Sequence, residues 1–458
     1  MDLKTAFEKL NEESVVSFHS TPRLVDQVRG RAKHLDRERV KKKRPPLARP
    51  GRTFPFPGAQ NAASGMSVTP WQLLHTFARA VALAGQGSAR ALAQQWDCLR
   101  YVTAIETRDG RRMRLSSEGE NWHTHKRSLQ ARDLGSAFGL SAAQQLLRER
   151  YPDHRFDVLD AEIVFSAFRP AKGRRPAAGN SGLPNHFLVG RKPGAPLRIF
   201  AVDARGSHGK PEAQHDQLAR SQHRAHTLLL GESDTRGEPV PALMLATSLL
   251  KGEGIETRVL ATDGLGILTV PGKSAPNLSE PAADKNLYPE IDTRDADGLP
   301  SSRPGFAIHE DHWEWLSQIL ARTGAASLLT FAGERDTARG LLTERQQKLL
   351  GPTGSDSTPG LQCDASITLG GMTFVGTDQV FRLRKQRVEV FSALLSEQRD
   401  LLANWRLDEH EARLPTVLKA WHRNKSVVEH QWGGLVHMDS SGALLAIRKQ
   451  RRSNRRLL

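Results

Sequence analysis

The sequence predicts an α/β protein, a mixed central sheet flanked by helices, with a helical N-terminal part and an α+β C-terminal part. Two observations carry this. Between residues 135 and 270, a stretch of helical period precedes three short apolar runs, a polar helix and two further apolar runs. Such alternation argues for helices packed on a sheet. From residue 304 onward, helical patterns mix with a hairpin signal and a final strand pair, as expected of an α+β part.

The elements follow in order. The first 20 residues carry a short helical pattern, and from about Arg29 to Ser67 charge combines with proline and glycine without a sustained apolar period. Residues 1–67 therefore read as a basic flexible arm. Thr69 and Pro70 form an N-cap followed by proline at the first helical position, and Trp71, Leu74, Phe77, Ala78 and Val81 follow at helical spacing. Residues 68–134 are read as a small helical unit. GSAFGL at 135–140 opens an amphipathic helix with Leu140, Ala143, Leu146 and Leu147 on one side. RFDVLDAEIVFS at 155–166 reads as extended, PNHFLVG at 184–190 and LRIFAVDARG at 197–206 as strands, 212–230 as a polar helix, and PALMLATSL and IETRVLAT as two more strands. Residues 271–303 are rich in Pro, Asp, Ser and Asn and read as a linker loop. Residues 304–458 form the C-terminal α+β domain with a basic tail. It has helices in HEDHWEWLSQILART and AASLLTFAG, a hairpin in SITLGGMTFVG, a helix in VEVFSALLSEQRDLLANWR and a strand pair in GLVHMDSSGALLAIRKQ.

Charge narrows the partner. The 458 residues carry 66 Lys and Arg against 50 Asp and Glu, a net charge of +16, which points toward a polyanion, nucleic acid first. The surplus is localised: 12 basic and 3 acidic residues lie at 23–52, and 6 basic with no acidic residues lie at 448–456. Lys41, Lys42, Lys43 and Arg44 in the first stretch and Arg451, Arg452, Arg455 and Arg456 in the second are the candidate nucleic-acid contacts. Arginine outnumbers lysine 48 to 18, a bias associated with GC-rich bacterial coding sequence. Cys98 and Cys363 are the only cysteines, too few for a disulfide framework or a four-cysteine zinc site. No apolar run reaches the length of a membrane span, and MDLKTAFEKLNEESVVSF lacks a basic flank followed by an apolar stretch. A cytoplasmic protein away from membranes is expected.

Several motifs carry little. WHTHK at 122–126 and HEDH at 309–312 lack the spacing of a zinc site. Gly370-Gly371 and Gly264-Leu265-Gly266 read as turns. Trp71, Trp96, Trp313 and Trp315 lie in apolar helical patterns and read as core.

The chemistry concentrates on the strands PNHFLVG and VDARG, joined by a short Lys/Pro/Gly turn, where a period of two puts Asp203 and Arg205 on one face. Asn185 opens the first strand, and a helix with Gln214, Gln217, Arg220 and Gln222 follows the second. With the element order, these residues resemble the PD-(D/E)xK, or restriction endonuclease-like, superfamily, and more narrowly actinobacterial nuclease-like proteins, over about 135–270. The resemblance implies a restriction endonuclease-like core. Asn185 stands in the place of the family's first metal-binding aspartate, Asp203 and Arg205 in the places of its acid-x-lysine, and Gln217 on the helix beside them. A neutral amide is a poor ligand for a hard cation, and arginine does not give up a proton near neutral pH. The resemblance therefore implies a nucleic-acid-binding protein whose metal-dependent nuclease site is degenerate, weak or lost. If it is active, Mg²⁺ is held by Asp203 with Asp160 or Glu162, Asn185 orients a ligated water and Arg205 contacts the scissile phosphate. Two alternatives stay open: an active Mg²⁺-dependent DNA endonuclease in restriction, repair or defence, and a non-catalytic protein-interaction subunit. DNA is favoured over RNA, and a homodimer or a protein complex is compatible with all three readings.

Overall fold

The computed structural model describes residues 3–44, 46–47, 52–59, 65–83, 96–108, 111–169, 183–231, 237–269, 277–287, 290–294, 300–350, 363–383 and 386–450. Its centre is a mixed sheet. Along the main path the strands run Ile105–Arg108, Arg112–Leu115, Ser14–His19, Glu256–Thr262, Ala242–Ser248, Leu197–Ser207, His186–Arg191 and Arg155–Asp160. The last three form an antiparallel meander, and Ala242–Ser248 runs parallel to Leu197–Ser207.

The meander and its helices follow the predicted order, with different boundaries. The helix expected from about residue 135 starts at Thr124 and continues to Arg150, so the boundary drawn at 134/135 falls inside it. Its first three turns are polar, which hides them from a search for apolar period. Gly135 and Gly139 let its middle close on the strand Leu197–Ser207: a Cβ at Gly135 would stand 2.1 Å from the Gly206 nitrogen, and one at Gly206 would stand 2.3 Å from the Ala131 oxygen. No side chain fits between these backbones. The extended run expected at 155–166 stops at Asp160, whose carboxylate accepts from the N–H groups of Glu162 and Ile163 and so caps the short helix Ala161–Ser166. Helix Pro211–Ser221 is shorter than expected, and residues 228–231 form a strand.

The N-terminal region corrects the sequence reading most. Residues 1–67 are not an arm over their described length. Helix Leu3–Asn11 leads into the strand Ser14–His19 inside the main sheet, parallel to Glu256–Thr262, and helix Pro22–Lys41 follows, with Thr21 as its N-cap. That helix buries Leu24, Val25, Val28 and Ala32, a narrow stripe masked by the dense charge on its other sides. Nor are residues 68–134 a separate helical unit. The capped helix Pro70–Val81 is present as expected, but Ile105–Arg108 and Arg112–Leu115 extend the main sheet. Within the linker expected at 271–303, Glu290–Arg294 pairs with Pro300–Pro304 as a hairpin.

Helix Trp313–Phe331 joins the two pieces expected there, and every residue in it except Glu314 is buried. The C-terminal part holds a five-stranded sheet. Its hairpin Ala365–Leu369 with Met372–Leu383 and its final pair Gly434–Met438 with Leu444–Lys449 are as expected. The expected helix at 388–406 is instead a strand, Gln386–Leu395, then a helix, Ser396–Ala403. Most of this strand is buried on both faces, so it lacks the polar alternation that would have identified it. Helix Leu407–Trp432 covers one face of the sheet. The Trp71 indole donates to the Leu445 carbonyl at 3.2 Å, and the four tryptophans read as core are buried. Among the described residues, no helix is long and apolar enough to cross a membrane.

Candidate anion-binding cleft

The hairpin brings Asn185, Asp203 and Arg205 together. Asn185 sits immediately before the strand His186–Arg191, with its backbone N–H on the Val202 carbonyl at 3.2 Å and its side-chain amide donating to the Ala204 carbonyl at 3.0 Å. Arg205 grips Asp203 with two donors, Nε to Oδ2 at 3.2 Å and Nη2 to Oδ1 at 3.1 Å, and Nη2 lies 3.5 Å from Asn185 Oδ1. Arg224 adds a third bond to Asp203 Oδ2, at 3.3 Å. Asp203 is only 2% exposed. Burying a carboxylate this deeply requires charge-assisted bonds to both oxygens, and two guanidinium groups supply them. Gln217, on the following helix, donates to the Gly206 carbonyl at 2.8 Å, and its buried Oε1 has no partner among the described residues.

These residues border a cleft of about 550 Å³ at the end of the strand Leu197–Ser207. One wall is the first turns of the long helix, with Thr124, Arg127, Ser128 and Arg132. The other is the 204–209 segment, with Asn185 and Gln217 closing it. The Gly135–Gly206 contact fixes the distance between the walls. Arg127, Arg132 and Arg205 line the cleft, and none of its described lining residues is an aspartate or glutamate. Asp203 lies beneath, covered by its arginines. Arg127 makes no ion pair among the described residues, while Arg132 reaches Asp133 at 3.1 Å and stays largely exposed. His208 places Nδ1 2.9 Å from the Leu249 carbonyl, which fits an Nδ1–H donor. Burial, with Arg127 nearby, lowers its pKa. His186, behind the hairpin, is pushed down to about 4 by burial.

The metal ligands inferred from the sequence do not assemble. Asp160 pairs with His186 and His186 with Val202, so strand alternation places Asp160 on the sheet face opposite Asp203. Its carboxylate is engaged in capping. Glu162 is exposed in the first turn of the capped helix. Mg²⁺ takes near-octahedral oxygen coordination and usually one or two free carboxylates. A neutral amide and a carboxylate bonded on both oxygens by guanidinium groups do not fit that ion. Among the described residues, no group of three or more His, Cys, Asp or Glu could hold a metal.

Asp160 makes a separate prediction. Burial pushes its pKa up to about 6. A raised folded-state pKa makes its contribution to stability greatest below pH 4, and that contribution is lost as pH rises through about 6. Asp160→Asn keeps an N-cap acceptor and has no proton to lose. Its Tm relative to the parent is expected to be higher at pH 7.5 than at pH 4.5. An equal difference at both values would show that Asp160 does not titrate in this range.

The basic candidates divide. Lys41, Lys42, Lys43 and Arg44 are exposed at the C-terminal end of helix Pro22–Lys41, where Lys41 bonds Glu38 at 2.8 Å. Arg451, Arg452, Arg455 and Arg456 lie outside the described residues. Arg448, counted with the tail, is in the last strand and bonds Glu389. Sequence reasoning missed Arg127, Arg132 and His208 as cleft residues. The available signal was the recurrence of Thr124, Arg127, Ser128 and Ala131 at helical spacing, which marks one face of the long helix. Compared with protein-family models, with curated proteins and with solved structures, the chain finds no match.

Proposed function

We propose that the protein binds nucleic acid, DNA in preference to RNA, by holding sugar-phosphate in the cleft, and that this binding needs no divalent metal. The observation that carries the reading is the cleft's lining: three arginines and, among the described lining residues, no carboxylate, with Asp203 buried beneath two guanidinium groups and Asp133 buried beside Arg132. Such forks suit phosphate oxygens. With Asp203 already holding Arg205 in place, a phosphate need not order that side chain on binding. Among the described lining residues there is no Phe, Tyr or Trp on which a base could stack, which favours recognition of the backbone over sequence. The order of helix, three-stranded meander, helix and parallel strand supports a restriction endonuclease-like ancestry for the 135–270 region. The departures at Asn185 and Arg205 support a member that binds without cutting.

The test pairs binding with cleavage. In EDTA, fluorescence anisotropy with a labelled DNA strand is expected to show binding whose log K falls linearly with log salt. Plasmid incubated with Mg²⁺ or Mn²⁺ is expected to stay uncut. Metal-dependent nicking that disappears in Asp203→Asn would restore the nuclease reading, and lack of any DNA binding would sink both.

A further inference from the structure

The cleft is small for a nucleic acid. A volume of about 550 Å³ lies within the range of pockets that enclose a drug-sized ligand, so it encloses a group about the size of one nucleotide. The rest of any longer strand must lie elsewhere on the protein. The route is suggested by helix Pro211–Ser221. One flank presents Gln217 to the cleft, and Asp216 on the same helix takes two bonds from Arg31 of helix Pro22–Lys41, at 2.6 and 2.8 Å. Arg220 is three residues beyond Gln217 and four beyond Asp216, so it neighbours both on the helix surface. It is exposed and makes no ion pair among the described residues. Arg220 therefore stands between the cleft and the basic helix.

Helix Pro22–Lys41 turns its charge outward. It buries Leu24, Val25, Val28 and Ala32, and opposite them Gly30, Lys33 and Arg37 follow at helical spacing. A Cβ built at Gly30 meets nothing within 4 Å, and Lys33 and Arg37 are exposed. Neither makes an ion pair among the described residues. Lys42, Lys43 and Arg44 continue the exposed positive charge past the helix end. The clamp from Arg31 to Asp216 fixes this ridge beside the cleft helix, which a flexible arm could not do.

We infer that the cleft, Arg220 and the outward face of helix Pro22–Lys41 form one track for a single nucleic-acid strand several nucleotides long, with the cleft gripping one of its phosphates. Lys33, Arg37 and the cations after them follow the strand's backbone through charge alone. This inference rests on the reading of the cleft as a phosphate site, and length dependence separates the two. The probes are a 5′-phosphorylated dinucleotide, which extends only one nucleotide beyond the cleft, and a single DNA strand of about 20 nucleotides. The variant Lys33→Gln/Arg37→Gln/Arg220→Gln changes three exposed side chains and no buried one. It is expected to bind the dinucleotide like the parent and to bind the long strand about tenfold to a hundredfold more weakly. Its salt slope on the long strand is expected to fall by roughly 2, at about 0.7 for each phosphate that the three cations no longer neutralise. Unchanged affinity for the long strand would overturn the track while leaving the cleft reading intact. Failure of the parent to bind either probe would overturn both.

Discussion

Arg127→Glu combined with Arg205→Gln is expected to weaken binding of a DNA strand about a hundredfold or more at moderate salt, and to lower the salt slope by at least 1. Arg127 is chosen because it lines the cleft and makes no ion pair among the described residues, so its loss removes a positive charge without releasing a buried partner. Glutamine at 205 keeps some hydrogen-bonding capacity and avoids a second carboxylate against Asp203. Asp203→Asn is the informative contrast. An acid that held Mg²⁺ would take activity with it when replaced. Here Asp203 is instead the anchor of Arg205 and Arg224, so the amide variant is expected to lose stability and to bind DNA within about threefold of the parent once folded. Equal loss of binding in Asp203→Asn and in the arginine variant, with both proteins folded, would return the acid to the ligand site. Circular dichroism alongside the anisotropy titration checks that condition.

What the sequence revealed of this site was its local part. Asp203 and Arg205 share a face because side chains alternate along a strand, and Asn185 meets them because a short turn fixes the register of the hairpin. A period of two and a turn signal are both readable within about 25 residues. The other wall of the cleft is not local. Arg127 and Arg132 lie more than 50 residues before Asn185 and reach the hairpin because Gly135 and Gly206 permit backbone contact. In the sequence those glycines look like punctuation. Likewise, Ser14–His19 enters the main sheet beside Glu256–Thr262, a parallel pairing across some 240 residues that leaves no local trace. The reading of 1–67 as an arm fails for a related reason. Composition averages over a helix, whereas burial depends on one stripe of it, and four apolar residues are enough to seat helix Pro22–Lys41.

Glu411→Ala is expected to be the most destabilising single substitution considered, costing about 3–5 kcal/mol, the range for removing one partner of a buried ion pair. Glu411 projects from helix Leu407–Trp432 into the edge of the main sheet. There Arg155 Nη2 reaches both its oxygens at 2.7 Å and Arg191 Nη1 reaches Oε1 at 3.0 Å. Asp157 completes the group, with Arg191 Nε 2.9 Å from Oδ2 and the Ser441 hydroxyl donating to Oδ1. Two acids and two guanidinium groups balance in charge, with Asp157, Arg191 and Glu411 buried and Arg155 nearly so. Deleting Glu411 leaves an excess cation that little solvent reaches. The pH dependence follows from the same geometry. Burial alone would raise the pKa of Glu411 and of Asp157, but Arg155 and Arg191 outweigh it and hold Glu411 well below, and Asp157 below, the ordinary carboxylate value. Depressed folded-state values mean that the stabilisation is complete above the unfolded pKa, near 4, and is lost as pH falls below it. Urea denaturation of the parent should therefore show a steep loss of stability on the acid side of pH 4. In Glu411→Ala that acid limb should be shallower, starting from a lower plateau at pH 7. A loss of less than 1 kcal/mol at pH 7, or an unchanged acid limb, would mean that the four charges do not hold the C-terminal helix to the sheet.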